Sequence, residues 1–178
     1  MIAYTRSARM RMLIILGGLP GSGKSTVAQA LATRIKACYL RVDTIEQAIR
    51  SSLPLEEGSD VGPSGYVVLY QLALDNLRLG HSVVADSVNP LAITRNAFRN
   101  VAGKANSPFI EVEVVCSDAA THRRRAETRV AAVEGLSPPS WAEIQALHYE
   151  RWEPDLRIDT FHLSVEESVA EIARFLDR

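Results

Sequence analysis

MLIILGGLPGSGKST, residues 12–26, decides how the rest of the chain is read. An unbroken apolar run over 12–16 passes into Gly17 and Gly18, and the stretch from Gly18 to Ser25 fits G-x-x-x-x-G-K-[ST]. This is the pattern of a phosphate-binding loop. Gly21 and Gly23 supply backbone angles closed to other residues, so successive N–H groups, Ser22 included, can turn inward around an anionic oxygen. Lys24 adds a point charge for the β- and γ-phosphates of ATP, and Ser25 a hydroxyl for Mg²⁺, with Thr26 completing the nucleotide-binding set. The apolar run predicts a buried strand. Val27, Leu31 and Ile35, at i, i+4 and i+8, predict a helix whose N-terminus attracts the anion.

A chain of 178 residues suits one domain with a sizeable core, expected over 12–178 behind a basic leader at 1–11. The net charge of −1 gives no global reason to expect a nucleic-acid or membrane partner. A local basic block, 122–129, matters more. Cys38 and Cys116 lack C-x-x-C spacing and sit in strand-like apolar runs, which predicts buried thiols in a reducing compartment. The leader precedes an apolar stretch that ends in the glycine loop rather than at a small-residue cleavage site, and no run approaches the roughly 18 residues of a membrane span. A cytoplasmic protein is expected.

Further strands are predicted over 38–42, 82–85, 109–116 and 157–163, alternating with helices over 44–51, 66–79, 90–103, 118–132, 140–152 and 164–176. Pro90 is placed at a first helical position behind Asn89 as N-cap, with Ile93, Ala97 and Val101 as the buried stripe. Ser140 with Glu143, and Ser164 with Glu167, read as capping boxes. Residues 52–65 form the most Pro/Gly/Ser-rich segment, a long loop of the functional kind. Alternation of strand and helix from end to end implies an α/β fold with a parallel sheet covered on both faces. Ligands in such sheets lie at the carboxyl ends of the strands, where the loop, Asp43 and Asp86 all fall.

Asp86 closes an apolar strand and is the candidate for holding Mg²⁺ through its water shell, beside Ser25. Asp43, at the end of the second strand, can accept the proton of an acceptor hydroxyl, although Asp43 with Glu46 also makes a capping box. Arg125 and Arg129 repel at i, i+4 unless an anion lies between them, which makes them candidates for closing over the γ-phosphate. With Asp43 and Lys24 they form the predicted catalytic set. The four histidines show no metal-ligand spacing, and Trp141 and Trp152 read as packing or lid anchors.

With these residues in place, the chain resembles the small phosphate-loop kinases of the polynucleotide-kinase, zeta-toxin and chloramphenicol-phosphotransferase type, the AAA-domain kinases. GLPGSGKST is very similar to the family loop, Val42-Asp43 matches its acceptor-activating aspartate, and Asp86-Ser87-Val88-Asn89 looks like its D-x-T-N, with Val88 in place of Thr. The Arg125/Arg129 helix is similar to its lid, here around 118–152. The resemblance implies a three-layer fold with a five-stranded parallel sheet in the order 2-3-1-4-5, ATP and Mg²⁺ as cofactors, and γ-phosphate transfer to a hydroxyl. Because the 52–65 loop is acidic, a small neutral or cationic hydroxyl compound is expected rather than a polynucleotide 5′-end. The rival is a switch ATPase acting through a protein partner; no N/T-K-x-D motif or second, force-transmitting domain supports it.

Overall fold

The computed structural model describes residues 11–52, 61–129, 135 and 138–176; the leader, most of the acidic loop and part of the expected lid lie outside the described residues. The elements run β1 Leu13–Gly17, α1 Lys24–Ile35, β2 Cys38–Arg41, α2 Val42–Ser52, α3 Ser64–Arg78, β3 Val83–Asp86, α4 Ala92–Ala105, β4 Phe109–Val115, α5 Ala119–Thr128, α6 Trp141–Ala146, β5 Leu156–Asp159 and α7 Val165–Leu176. The sheet is parallel throughout, in the order β2-β3-β1-β4-β5. This is the α/β order expected of the resemblance.

The central strand β1 is buried at every position, because its two sets of alternate side chains serve two cores. Leu13 and Ile15 join Val83 and Ala85 beneath Leu69, Ala73 and Leu77 of α3 and Phe98 and Ala102 of α4. Ile14 and Leu16 join Val112, Val114 and Ile158 beneath Val27 and Leu31 of α1 and Val169 and Ile172 of α7. With both faces covered, the carboxyl ends of the strands are left to the loops. No helix among the described residues is long and apolar enough to cross a membrane.

Several predicted boundaries move, each for a physical reason. Helix α2 begins at Val42, so Asp43 lies inside its first turn rather than at the end of the strand. Helix α4 begins at Ala92, after Leu91, and Asn89 takes a left-handed φ of 53°. The cap comes instead from far away, as Glu150 Oε2 accepts the Ala92 N–H at 2.6 Å. The later start rotates the helix. Ile93 is exposed, and Arg95, Phe98 and Val101 face inward. Helix α5 stops at Thr128, leaving Arg129 just beyond it in extended conformation. Helix α6 has the predicted Ser140/Glu143 box but only six residues. The chain beyond it stays extended because Arg95 binds the carbonyls of Glu150 and Arg151 at 3.0 and 3.2 Å. Ser164 and Glu167 exchange the second pair of box hydrogen bonds.

Candidate active site

The loop between β1 and α1 carries the predicted binding residues to the carboxyl edge of the sheet. Gly23 adopts a φ of 89°, where a side chain would be strained, and Lys24 opens the helix directly after it. Lys24 is 7 % exposed, Ser25 is half-buried and Thr26 is exposed. Gly18 anchors the loop's entrance by donating its N–H to Val88 O at 3.1 Å. Gly17 is required by a neighbour: a Cβ there would run into the Trp152 ring. Trp152 is itself buried, with its indole N–H on Glu111 Oε2 at 3.1 Å and the Arg95 guanidinium 5.2 Å from its ring centroid. It is a packing anchor, as its position in the sequence predicts.

Asp86 ends β3 at 1 % exposure. Its Oδ2 accepts the Tyr39 hydroxyl at 2.7 Å, while its Oδ1 lies 3.9 Å from Lys24 Nζ and makes no hydrogen bond among the described residues. A buried carboxylate oxygen without a donor is costly, and beside a lysine at the end of the phosphate-binding loop it fits the outer coordination of a hard cation. Burial, then the neighbouring Asp86 charge, push the Tyr39 phenol well above its usual range, so it stays protonated and donates. Tyr39 escapes prediction from the sequence, where it is one apolar-type residue in a strand.

Arg41, the strand neighbour of Asp86, lies near Asp43 and Arg129. Arg41 Nε is 3.5 Å from Asp43 Oδ2. Desolvation lowers the Arg129 pKa, offset by the Asp43 carboxylate and reinforced by Arg41. Arg129 thus faces the predicted base. Arg125 does not accompany it: Nη1 donates to Thr160 Oγ1 at 2.8 Å and Nη2 to Thr160 O at 3.2 Å. Equal placement of the two arginines beside one anion, expected from their spacing, is corrected by the end of the helix between them.

Tyr66, Ser87 and Asn89 line the floor beside Asp43. Tyr66 accepts the Asn89 N–H at 3.1 Å; burial is the main cause of its raised pKa, and the Glu46 and Asp43 carboxylates push it the same way. Buried Ser87 Oγ lies beside the Tyr66 hydroxyl, and buried Asn89 Nδ2 has no partner among the described residues. The Asn89 head is held at its other end, where Thr94 Oγ1 donates to Oδ1 at 2.7 Å. Asn89 is therefore not the helix cap expected from its sequence position.

Residues 13–150 match the AAA-domain family model. The chain is 30 % identical over 183 residues to the adenylyl-sulfate kinase of Geotalea uraniireducens, covering 98 % of this chain and 85 % of that protein. Among solved structures, it superimposes on the Mycobacterium tuberculosis APS kinase CysC in complex with AMPPNP and APS with a TM-score of 0.68 at 24 % identity, covering 96 % of this chain and 99 % of that one. Chaetomium thermophilum Kti12 in complex with ADP-AlF3 gives 0.70 at 21 % identity, covering 93 % and 97 %. A glycine loop ending on a buried lysine, a buried aspartate on the adjoining strand and these relatives agree: the chain belongs to the AAA-domain family of small phosphate-loop kinases, and is an ATP-dependent phosphotransferase.

Proposed function

We propose that this kinase transfers the γ-phosphate of ATP to the hydroxyl of a small, uncharged or cationic compound in the cytoplasm, with Asp43 preparing the acceptor. The observation that carries the reading is the buried Asp86, whose Oδ1 lies 3.9 Å from Lys24 Nζ and has no hydrogen-bond partner among the described residues. The backbone of Gly18, Gly21, Ser22 and Gly23, with Lys24, holds the phosphates, and Thr26 borders them. Ser25 and Asp86 would hold Mg²⁺, which when bound would offset the charge of the phosphates. Asp43 accepts the proton of the attacking hydroxyl, and Arg129 meets the charge that develops on the transferred group. Two free cysteines, Cys38 and Cys116, fit a reducing compartment.

The acidic 52–65 loop supports an uncharged or cationic acceptor. Near Asp43 the described residues hold both kinds of buried group without a hydrogen-bond partner, the neutral Asn89 Nδ2 and the charged Arg41 Nε, which lies 3.5 Å from Asp43 Oδ2.

The test is ADP release from ATP and Mg²⁺ with adenylyl sulfate, sugars and polyols, nucleosides, aminoglycosides and 5′-hydroxyl oligonucleotides. Turnover that rises with one neutral or cationic class and is lost in Lys24→Ala supports the reading. A rise with adenylyl sulfate alone overturns the acceptor class, and full ATP affinity and turnover in Lys24→Ala overturn the site.

A further inference from the structure

When the amide hydrogens of a phosphate-binding loop turn inward, its carbonyl oxygens turn outward and need partners from the surrounding protein. Two of those partners are side chains from distant parts of the chain. His122 Nε2 donates to Pro20 O at 2.9 Å, and Thr160 Oγ1 donates to Ser22 O at 2.7 Å. Both donors are buried. The Thr160 hydroxyl has a single hydrogen, with Val115 O as a weaker alternative at 3.2 Å. Arg125 occupies the oxygen's acceptor side at 2.8 Å and also grips Thr160 O, which fixes the hydroxyl's rotation. The same two elements close on the loop's glycines. A Cβ at Gly21 would lie 3.1 Å from Ala126 Cβ, and one at Gly23 would lie 3.3 Å from Thr160 Cγ2. His122 is tied outward in turn, edge to face with Trp141 at 5.0 Å between ring centroids.

We propose that Arg125, acting through Thr160, and His122 are positioning residues that hold the loop in its phosphate-binding shape before the nucleotide arrives. Binding to a preformed loop avoids the ordering cost that a slack loop would incur. The brace therefore governs affinity for ATP and leaves the transfer step to other groups. The inference rests on the loop being the nucleotide site.

The experiment is calorimetric titration of the full chain with AMPPNP and Mg²⁺, beside thermal melts and ADP release at saturating ATP. Arg125→Ala and Thr160→Val should each weaken AMPPNP by about tenfold, near the lower end for a hydrogen bond to a charged group and the upper end for a neutral one, with kcat held within about threefold. Thr160→Ser, which keeps the hydroxyl, should restore affinity. The double variant Arg125→Ala/Thr160→Val should be no weaker than either single variant, as for two groups acting through one contact. Near-isosteric Thr160→Val reads the same link should Arg125→Ala fail to fold. Wild-type affinity in Thr160→Val, beside a loss in Arg125→Ala, would mean that Arg125 touches the nucleotide itself, and overturns the proposal. So would a fall in kcat at unchanged affinity. A wild-type protein that does not bind AMPPNP overturns the nucleotide site itself, a different failure.

Discussion

Tyr39 on β2 reaches the last residue of β3, placing its hydroxyl 2.7 Å from Asp86 Oδ2 and leaving Oδ1 to face Lys24. A strand residue whose backbone pairs with Val84 thus sets the direction of a carboxylate two residues further on. Tyr39→Phe removes that hydrogen bond, together with the hydroxyl's contact to Gln29, without emptying the space beneath it. The expected result is Mg²⁺-dependent AMPPNP binding weakened by on the order of tenfold, with metal-free binding unchanged. Calorimetry with and without Mg²⁺ checks it, and equal losses in both conditions would detach Tyr39 from the metal.

Asp43→Asn separates proton acceptance from helix stabilisation. The carboxylate lies in the first turn of α2, where its interaction with the helix dipole is worth about 0.3–1 kcal/mol, so the melt should barely move. Transfer should fall by about 10²- to 10⁴-fold, the usual contribution of a positioned acid or base. Near-normal kcat would leave Asp43 with Arg41 as an ion pair and nothing more.

Arg129→Ala should behave oppositely to Arg125→Ala. Its guanidinium is partly desolvated near Asp43; if it meets the developing charge as proposed, kcat should drop by about 10²-fold or more and AMPPNP affinity by much less. The pair of variants, measured side by side, distinguishes a group that meets the transition state from one that shapes the ground-state site. Equal effects on both parameters in Arg129→Ala would place it in nucleotide binding.

Gly17→Ala tests the packing of the loop's approach. The added methyl meets the Trp152 ring and the Asn89 side chain, and Trp152 is held from behind by Glu111 and Arg95. Overpacking of this kind costs roughly 1–3 kcal/mol. A denaturant titration should show that loss; an unchanged midpoint would mean that Trp152 is free to give way.

What the sequence makes legible depends on whether a feature is contiguous. The loop from Gly18 to Ser25, the capping boxes at Ser140 and Ser164 and the strand ending at Asp86 are local patterns, and each lies where its residues predict; the box read at Asp43 does not cap, because α2 already begins at Val42. Tyr39, His122, Thr160 and Arg95 act across 47, 102, 138 and 55 residues of chain, so no local pattern announces them. The helix phases fail for the same reason. Ile93, Ala97 and Val101 have helical spacing, but a carboxylate from Glu150 sets where α4 begins and turns buried Arg95 inward instead. Trp141 and Trp152 frame an apparent helix, but Arg95 draws the second half of it into an extended path.

The bond from Thr160 to Ser22 has a consequence for the order in which the protein is made. On the ribosome the glycine loop emerges ahead of β2 to β5, yet β1 cannot pair until β3 and β4 have followed, and the outward carbonyl of Ser22 waits for residues just beyond β5. At the usual pace of about 5–20 residues per second, the 138 residues from Ser22 to Thr160 take roughly 7 to 28 seconds, during which the motif is written but unfinished. A chain released before Thr160 lacks the brace, and nucleotide added during synthesis becomes a ligand for the braced loop only when the last strand is in place.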